Sequence, residues 1–115
     1  MAIHIMGLQP ESFEKIKAGT KTIELRLFDE KRKAITLGDT IEFQKKPEES
    51  ETLRTRVSAL LRYESFSKLF DDFPPEVFGG KDKKSLLRGV HRSYTPEKEK
   101  EYGVLGIKVE VMQDE

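Results

Sequence analysis

The chain has 115 residues and a mass of 13.3 kDa, and its 21 Lys and Arg are balanced by 21 Asp and Glu. Zero formal charge counts against a general nucleic-acid coat protein, which carries a large basic excess, and the absence of cysteine excludes zinc fingers and disulfide scaffolds. Charged residues make up 37% of the chain and apolar residues 36%, but the neutral balance, seven Phe and three Tyr argue for a folded domain. A chain of this length is expected to form one domain, residues 1–115, burying roughly 60–70% of its unfolded surface. No apolar run approaches the ~18 residues of a membrane span, and the start MAIHIMGLQPE lacks the basic stretch and apolar core of a signal peptide. The expectation is a soluble, cytoplasmic protein with no membrane partner.

Ile3 to Leu8 reads as a first or edge strand. Pro10 suits the first turn of a short helix with Phe13 and Ile16 on its apolar stripe, and Gly19 is placed to stop it. From Lys21 the chain alternates with period two: Ile23, Leu25 and Leu27 share one face, Thr22, Glu24 and Arg26 the other. Asp29 to Lys33 reads as a solvated charge run. Leu37-Gly38-Asp39 is a turn into a strand with Ile41 and Phe43 inward, and Lys45 to Glu51 is a hairpin loop. A longer strand follows, carrying Leu53, Val57, Ala59 and Leu61.

Ser65 is placed to cap a helix bearing Phe66, Leu69, Phe70 and Phe73, which Pro74-Pro75 ends. Glu76 to Gly80 reads as a loop. Asp82 caps a helix lined by Leu86, Leu87, Val90 and Tyr94, Thr95-Pro96 opens another that Gly103 stops, and Val104 to Met112 alternates as a last strand. These elements make an α+β domain, a small curled sheet or barrel with helices at its mouth. Ile23, Leu25, Ile41, Phe43, Val57, Leu61, Ile107 and Val109 are expected to form one barrel core.

No metal site is predicted, because His4 and His91 stand without a second ligand at suitable spacing. No cofactor motif is found either: Gly79-Gly80-Lys81 lacks the rest of a phosphate-binding loop and reads as a turn. More informative is the run from Lys21 to Arg26, where an ammonium, a hydroxyl, a carboxylate and a guanidinium gather at a helix-to-strand junction. A solvent-facing strand with an ion pair worth under ~1 kcal/mol would account for it. So would the charged floor of a pocket, in which Lys and Arg read phosphate or carbonyl oxygens and Glu accepts from an amino group such as that of cytosine. Lys21 and Glu24 have opposite parity, and reach one cleft only if Lys21 sits in the turn before regular alternation begins.

A second cluster, Lys81, Lys83, Lys84, Arg88 and Arg92 against Asp82, carries a net +4 (5 − 1). On a helix Lys84, Arg88 and Arg92 form one stripe, which is either a soluble face or the surface a phosphate backbone meets. Arg54, Arg56 and Arg62 fall on one parity of the long strand and would extend it. The alternating charges of Pro96 to Glu101 read as a solvated helix face.

The pattern His4-x-Met6-x-Leu8, Pro10-Glu11, Phe13-x-x-Ile16-Lys17-x-Gly19-x-Lys21-Thr22-Ile23-Glu24-x-Arg26, Asp29-Glu30-Lys31-Arg32, Gly38-Asp39, Tyr94-x-x-Glu97 and Tyr102-Gly103-Val104-x-Gly106-Ile107 closely resembles ASCH domains. The resemblance runs from His4 to about Val109 and is most specific in Gly19 to Arg26. It implies a PUA-like β-barrel with helices flanking a cleft, and RNA or a nucleotide-like molecule as the partner. The same resemblance makes Lys21, Thr22, Glu24 and Arg26 ligand-binding candidates, with Lys21 and Glu24 the catalytic ones should the cleft be an active site. One ASCH branch looks like amidohydrolases of acetylated cytidine that use a Lys, a Thr and a Glu. Here Lys21 fits the lysine position, but Glu24 stands where the nucleophilic Thr would be. Other relatives are associated with RNA cleavage, so the alternative to a binding module is a hydrolase of RNA or modified nucleosides.

Overall fold

The computed structural model describes residues 1–48 and 51–113. Among the described residues five strands form one sheet: β1 (Ile3–Leu8), β2 (Ile23–Leu27), β3 (Thr40–Lys45), β4 (Thr52–Tyr63) and β5 (Val104–Val111), in the order β1-β3-β4-β5-β2. Only β1 and β3 run parallel; the other neighbours are antiparallel. The sheet curls into a half-barrel. Its two edges come so close that an Arg26 Nη of β2 donates to the Gly7 carbonyl of β1 at 3.0 Å, closing with a side chain what no backbone ladder closes.

Alternation along the strands buries two apolar clusters, one on each side of the sheet, where the sequence suggests one. The first, inside the curl, joins Met6 and Leu8 to Phe13 and Ile16 of α1 (Pro10–Ala18), Ile41, Phe43, Val57, Leu105, Ile107 and Val109. The second joins Ile23, Leu27 and Val104 to helices packed on the outer face, with Leu25 and Leu61 partly buried against it. Ile23, Leu25 and Leu61 therefore leave the predicted single core, the first two because Glu24 and Arg26 take the inward face of β2. Leu61 does so because of a bulge between Val57 and Ala59: Val57 lies opposite Val109, but beyond the extra residue Leu60 lies opposite Ile107 and Leu61 opposite Gly106. The bulge also parts Arg62 from Arg54 and Arg56, so the three do not form one stripe; the Arg62 guanidinium lies 4.0 Å over the Phe28 ring.

The outer helices are α3 (Phe66–Asp71), α4 (Lys83–Ser93) and α5 (Pro96–Tyr102), and each starts at the cap its sequence offers. Ser65 accepts from the Lys68 amide, Asp82 from that of Ser85 and Thr95 from that of Lys98, each satisfying one orphan donor of the first turn. Helix α3 ends at Asp71, before Phe73, whose ring packs edge-on to Phe78 at 6.1 Å instead of extending the stripe. The charge run after β2 is a one-turn helix, α2 (Glu30–Lys33), because Asp29 caps it through the Arg32 amide. The segment expected as a loop holds a 3-10 turn, Pro75–Phe78, which drives Phe78 into the outer cluster. Of the hairpin loop between β3 and β4, Glu49 and Ser50 lie outside the described residues. Among the described residues no helix is long and apolar enough to cross a membrane.

Candidate functional site

The seam between β1 and β2 is where the polar face of β2 ends up. Glu24 lies opposite Ile107 and Arg26 opposite Leu105, so both side chains point into the curl, on the side of the inner core. Lys21 precedes β2. Gly19 ends α1 with φ of 82°, in the left-handed region that favours glycine, and the chain turns so that the Lys21 amide donates to the Lys15 carbonyl at 3.1 Å. From that turn the Lys21 side chain reaches Glu24 despite its opposite parity.

The result is a buried three-membered bridge. Lys21 Nζ lies 2.8 Å from Glu24 Oε1, while Nε and an Nη of Arg26 each lie 2.8 Å from Oε2. Lys21 is 7% exposed and Glu24 5%. Burial by itself would raise the Glu24 carboxyl, but the charges and hydrogen bonds of Lys21 and Arg26 outweigh it and hold the group below the usual carboxylate range. Glu24 is thus an ionised acceptor; Arg26 takes up Oε2, and Oε1, met by Lys21 alone, keeps a further lone pair.

Around the bridge stand groups that sequence spacing does not single out. Ser12 of α1 accepts from Lys21 Nζ at 3.3 Å. Lys15 donates to Glu11 Oε1 at 3.0 Å and to the Gly79 carbonyl at 2.7 Å. Gly79, at φ of 86°, lets its backbone lie against both lysines; a Cβ there would stand 3.1 Å from Lys21 Cδ. Tyr94, stacked on Phe66 with ring centroids 5.8 Å apart, has its phenol raised by burial, with the charges of Arg26, Glu24, Arg32 and Asp29 all acting on it. Its place at the end of the α4 stripe was visible in the sequence. Ser12, Lys15 and Gly79 reach the seam only through the fold, and no local pattern marks them.

Thr22 is placed by its backbone, its amide donating to the Val77 carbonyl at 2.9 Å and its carbonyl accepting from Val109 at 2.9 Å. It anchors the turn before β2 and does not join the bridge. Lys84, Arg88 and Arg92 share one exposed face of α4 and, with Leu87 and His91, line a shallow depression of about 530 Å³. Arg92, at its far end, helps Lys15 and Lys21 lower the carboxyl of Glu11 on α1, the hydrogen bond from Lys15 being the main cause. The stripe therefore runs toward the same side of the molecule as the bridge.

The family model described as the ASCH domain matches residues 6–113. The chain belongs to the ASCH family. Two solved structures of similar length support this. The crystal structure of the hypothetical protein PH0355 is 37% identical, with a TM-score of 0.85 over 96% of this chain and 99% of that one. The solution structure of protein PF0455 from Pyrococcus furiosus is 38% identical, with a TM-score of 0.73 over 97% and 99%. The crystal structure of ASCH from Zymomonas mobilis, at 14% identity and a TM-score of 0.68, covers 94% of this chain and 66% of its own, and shows the shared PUA-like α+β fold alone. No curated protein matches the chain. In this ASCH domain the segment from Gly19 to Arg26 forms the floor of the barrel seam.

Proposed function

We propose that this ASCH domain binds single-stranded RNA or a nucleotide-like molecule at the seam, with Glu24 accepting from a base amino group and Lys21 and Arg26 donating to base carbonyl or phosphate oxygens. The observation that carries this reading is the buried Lys21–Glu24–Arg26 bridge. It presents a fixed carboxylate and two fixed cations in one low-dielectric place, the donor and acceptor set that reads a cytosine-like edge. The exposed Lys84, Arg88 and Arg92 stripe supplies the phosphate-facing surface beside it. A general link of the ASCH family to RNA binding agrees with this reading. Calorimetric titration with cytidine and uridine tests it. Cytidine should bind more tightly, and Glu24→Gln should weaken it by ~1–3 kcal/mol while leaving uridine little changed. Equal affinities for both nucleosides in both proteins refute it.

A hydrolase of RNA or modified nucleosides is the second reading, and Ser12 is what favours it. A hydroxyl 3.3 Å from a buried lysine is a pairing that nucleophilic catalysis uses. As placed, however, Lys21 donates to both Ser12 and Glu24, which suits holding a ligand better than removing a proton. Turnover of acetylated cytidine or single-stranded RNA, lost in Ser12→Ala and Lys21→Ala, would move the assignment to the enzyme.

A further inference from the structure

The Lys21–Glu24–Arg26 bridge joins two cations to one carboxylate and so keeps a net charge of +1 in a buried place. Lys15 beside it does not alter that excess, being matched by Glu11. Arg26 commits Nε and Nη2 to Glu24 Oε2 and the Gly7 carbonyl, which leaves Nη1 without a partner among the described residues. That nitrogen is not sealed in: among the described residues the one buried side-chain nitrogen or oxygen without a hydrogen bond is Nε of Arg32. A neutral nucleoside at the seam would leave both the excess charge and the free N–H groups unanswered.

A further cation lies against the same glycine. Lys46 follows β3, and its amide donates to the Leu8 carbonyl at 2.8 Å, which fixes its backbone beside the end of β1. From there its side chain runs back over Gly7: a Cβ at residue 7 would collide with Lys46 Cε, with Nζ 3.4 Å and Cδ 3.5 Å away. Met6 and Leu8 point into the inner core, so residue 7 belongs to the outer row of β1 with Ile3 and Ile5. A side chain there would continue that row. Glycine instead leaves bare backbone, which the lysine stem crosses from the β3 side toward the free edge that Arg26 meets. Lys17 and Lys45 hold Glu51 and Glu14, but no carboxylate of the described residues pairs with Lys46.

We propose that the ligand of the seam is anionic and that Arg26 Nη1 and Lys46 Nζ hold its phosphate, one from each side of Gly7. The inference rests on the seam being the binding site, and adds the part of the ligand that the bridge alone does not specify. Glu24 Oε1 and Lys21 face the base; Arg26 and Lys46 face the phosphate next to it. Arginine supplies donors in a fixed plane and lysine a point charge on a flexible stem, and together they close on a tetrahedral anion from two directions. The chemistry recognised is a phosphate one ribose away from the base, which a mononucleotide carries as a monoester and RNA as a diester.

Calorimetric titration at low salt with cytidine, cytidine monophosphate, the dinucleotide of two cytidines and ribose phosphate tests the assignment. Cytidine monophosphate should bind about tenfold or more tightly than cytidine, as one charge-assisted contact implies, and the gain should shrink as salt is raised. A gain for the monophosphate alone assigns a mononucleotide, a gain for the dinucleotide assigns RNA, and either supports the phosphate place. Lys46→Met keeps the stem and removes the charge, and should bring the ratio of the two affinities toward one. Gly7→Ile keeps the charge but fills the path of the stem, and should do the same, with folding of both variants checked by thermal melting. The proposal is overturned when wild type binds the monophosphate no more tightly than cytidine, or when either folded variant keeps the wild-type ratio. Those results leave the seam reading standing as long as cytidine is preferred over uridine. Where no nucleoside binds, the base reading fails by itself, and ribose phosphate decides the remainder: binding lost in Lys46→Met upholds the phosphate place, while equal binding to both proteins, or to neither, removes it.

Discussion

Replacing Glu24 by Gln keeps the shape of the side chain and removes the charge that joins Lys21 to Arg26. From sequence alone the change looks nearly isosteric. In the buried bridge it is not, because Lys21 and Arg26 both approach Glu24 to 2.8 Å and the neutral amide leaves two cations facing one place. At an effective dielectric of about 20 a unit pair at ~4 Å is worth ~4 kcal/mol gross, and removing one partner from a buried pair costs ~3–5 kcal/mol net of desolvation. Against a total stability of ~5–15 kcal/mol, Glu24→Gln should fold but melt early. Lys21→Met should lose less, since Glu24 keeps Arg26. Urea unfolding followed by circular dichroism over a pH series is the assay. Because the carboxyl of Glu24 lies below its ordinary value in the folded state, its contribution is complete above its unfolded pKa, near 4.3, and is lost as pH falls toward the folded value. The gap between wild type and Glu24→Gln should therefore be widest at neutral pH and close in acid. A gap under ~1 kcal/mol at pH 7, or one that does not change with pH, refutes this reasoning.

Ile107→Ala, truncating a fully buried residue of the inner core, should cost ~2–5 kcal/mol by urea titration; a change within ~0.5 kcal/mol would contradict its placement. Neutralising Lys84, Arg88 and Arg92 together should flatten the salt dependence of RNA binding, measured by fluorescence anisotropy, by about 0.7 in log–log slope for each phosphate no longer neutralised. Asp39 accepts from the amides of Ala2 and Thr36, the Thr36 hydroxyl and His4, which hold its carboxyl far below the usual range, His4 contributing most. Asp39→Asn should lower Tm at neutral pH, with the difference narrowing as pH drops below about 4, where the wild type begins to lose the same interactions. Replacing the whole bridge with Lys21→Met, Glu24→Leu and Arg26→Met should leave stability unchanged or raise it by ~1–4 kcal/mol while abolishing nucleotide binding. A large loss of stability would make the bridge a structural clasp.

What the sequence made legible was local. The caps at Ser65, Asp82 and Thr95 read correctly because each satisfies an amide three residues on, and the faces of β2 and β5 follow from period-two alternation. The bulge after Val57 left no such mark: nothing around Ser58 distinguishes it, yet one extra residue exchanges Leu60 and Leu61 between the two cores. The site divides the same way. Glu24 and Arg26 share a strand face and could be paired on paper, and Lys21 joins them through a turn that Gly19 announces. Ser12 and Gly79 lie 9 and 58 residues from Lys21 in the chain, and only the docking of α1 and the 3-10 turn against the seam brings them to it.

The position of the bridge bears on why the barrel is left open. Glu24 and Arg26 lie opposite Ile107 and Leu105, both buried in the inner core, so apolar side chains at these two positions would continue that core to the β1 edge. Hydrophobic closure at such a place is usually at least as stable as a buried ion pair, whose Coulomb gain is largely offset by desolvation. The chain instead closes the seam with one guanidinium on one carbonyl, and satisfies the remaining charge within the bridge. Stability alone does not favour that arrangement over an apolar one. A ligand that exchanges hydrogen bonds with the carboxylate and both cations would, because the desolvation of the three groups has already been met in folding and the donors and acceptors need no reorganisation to receive it.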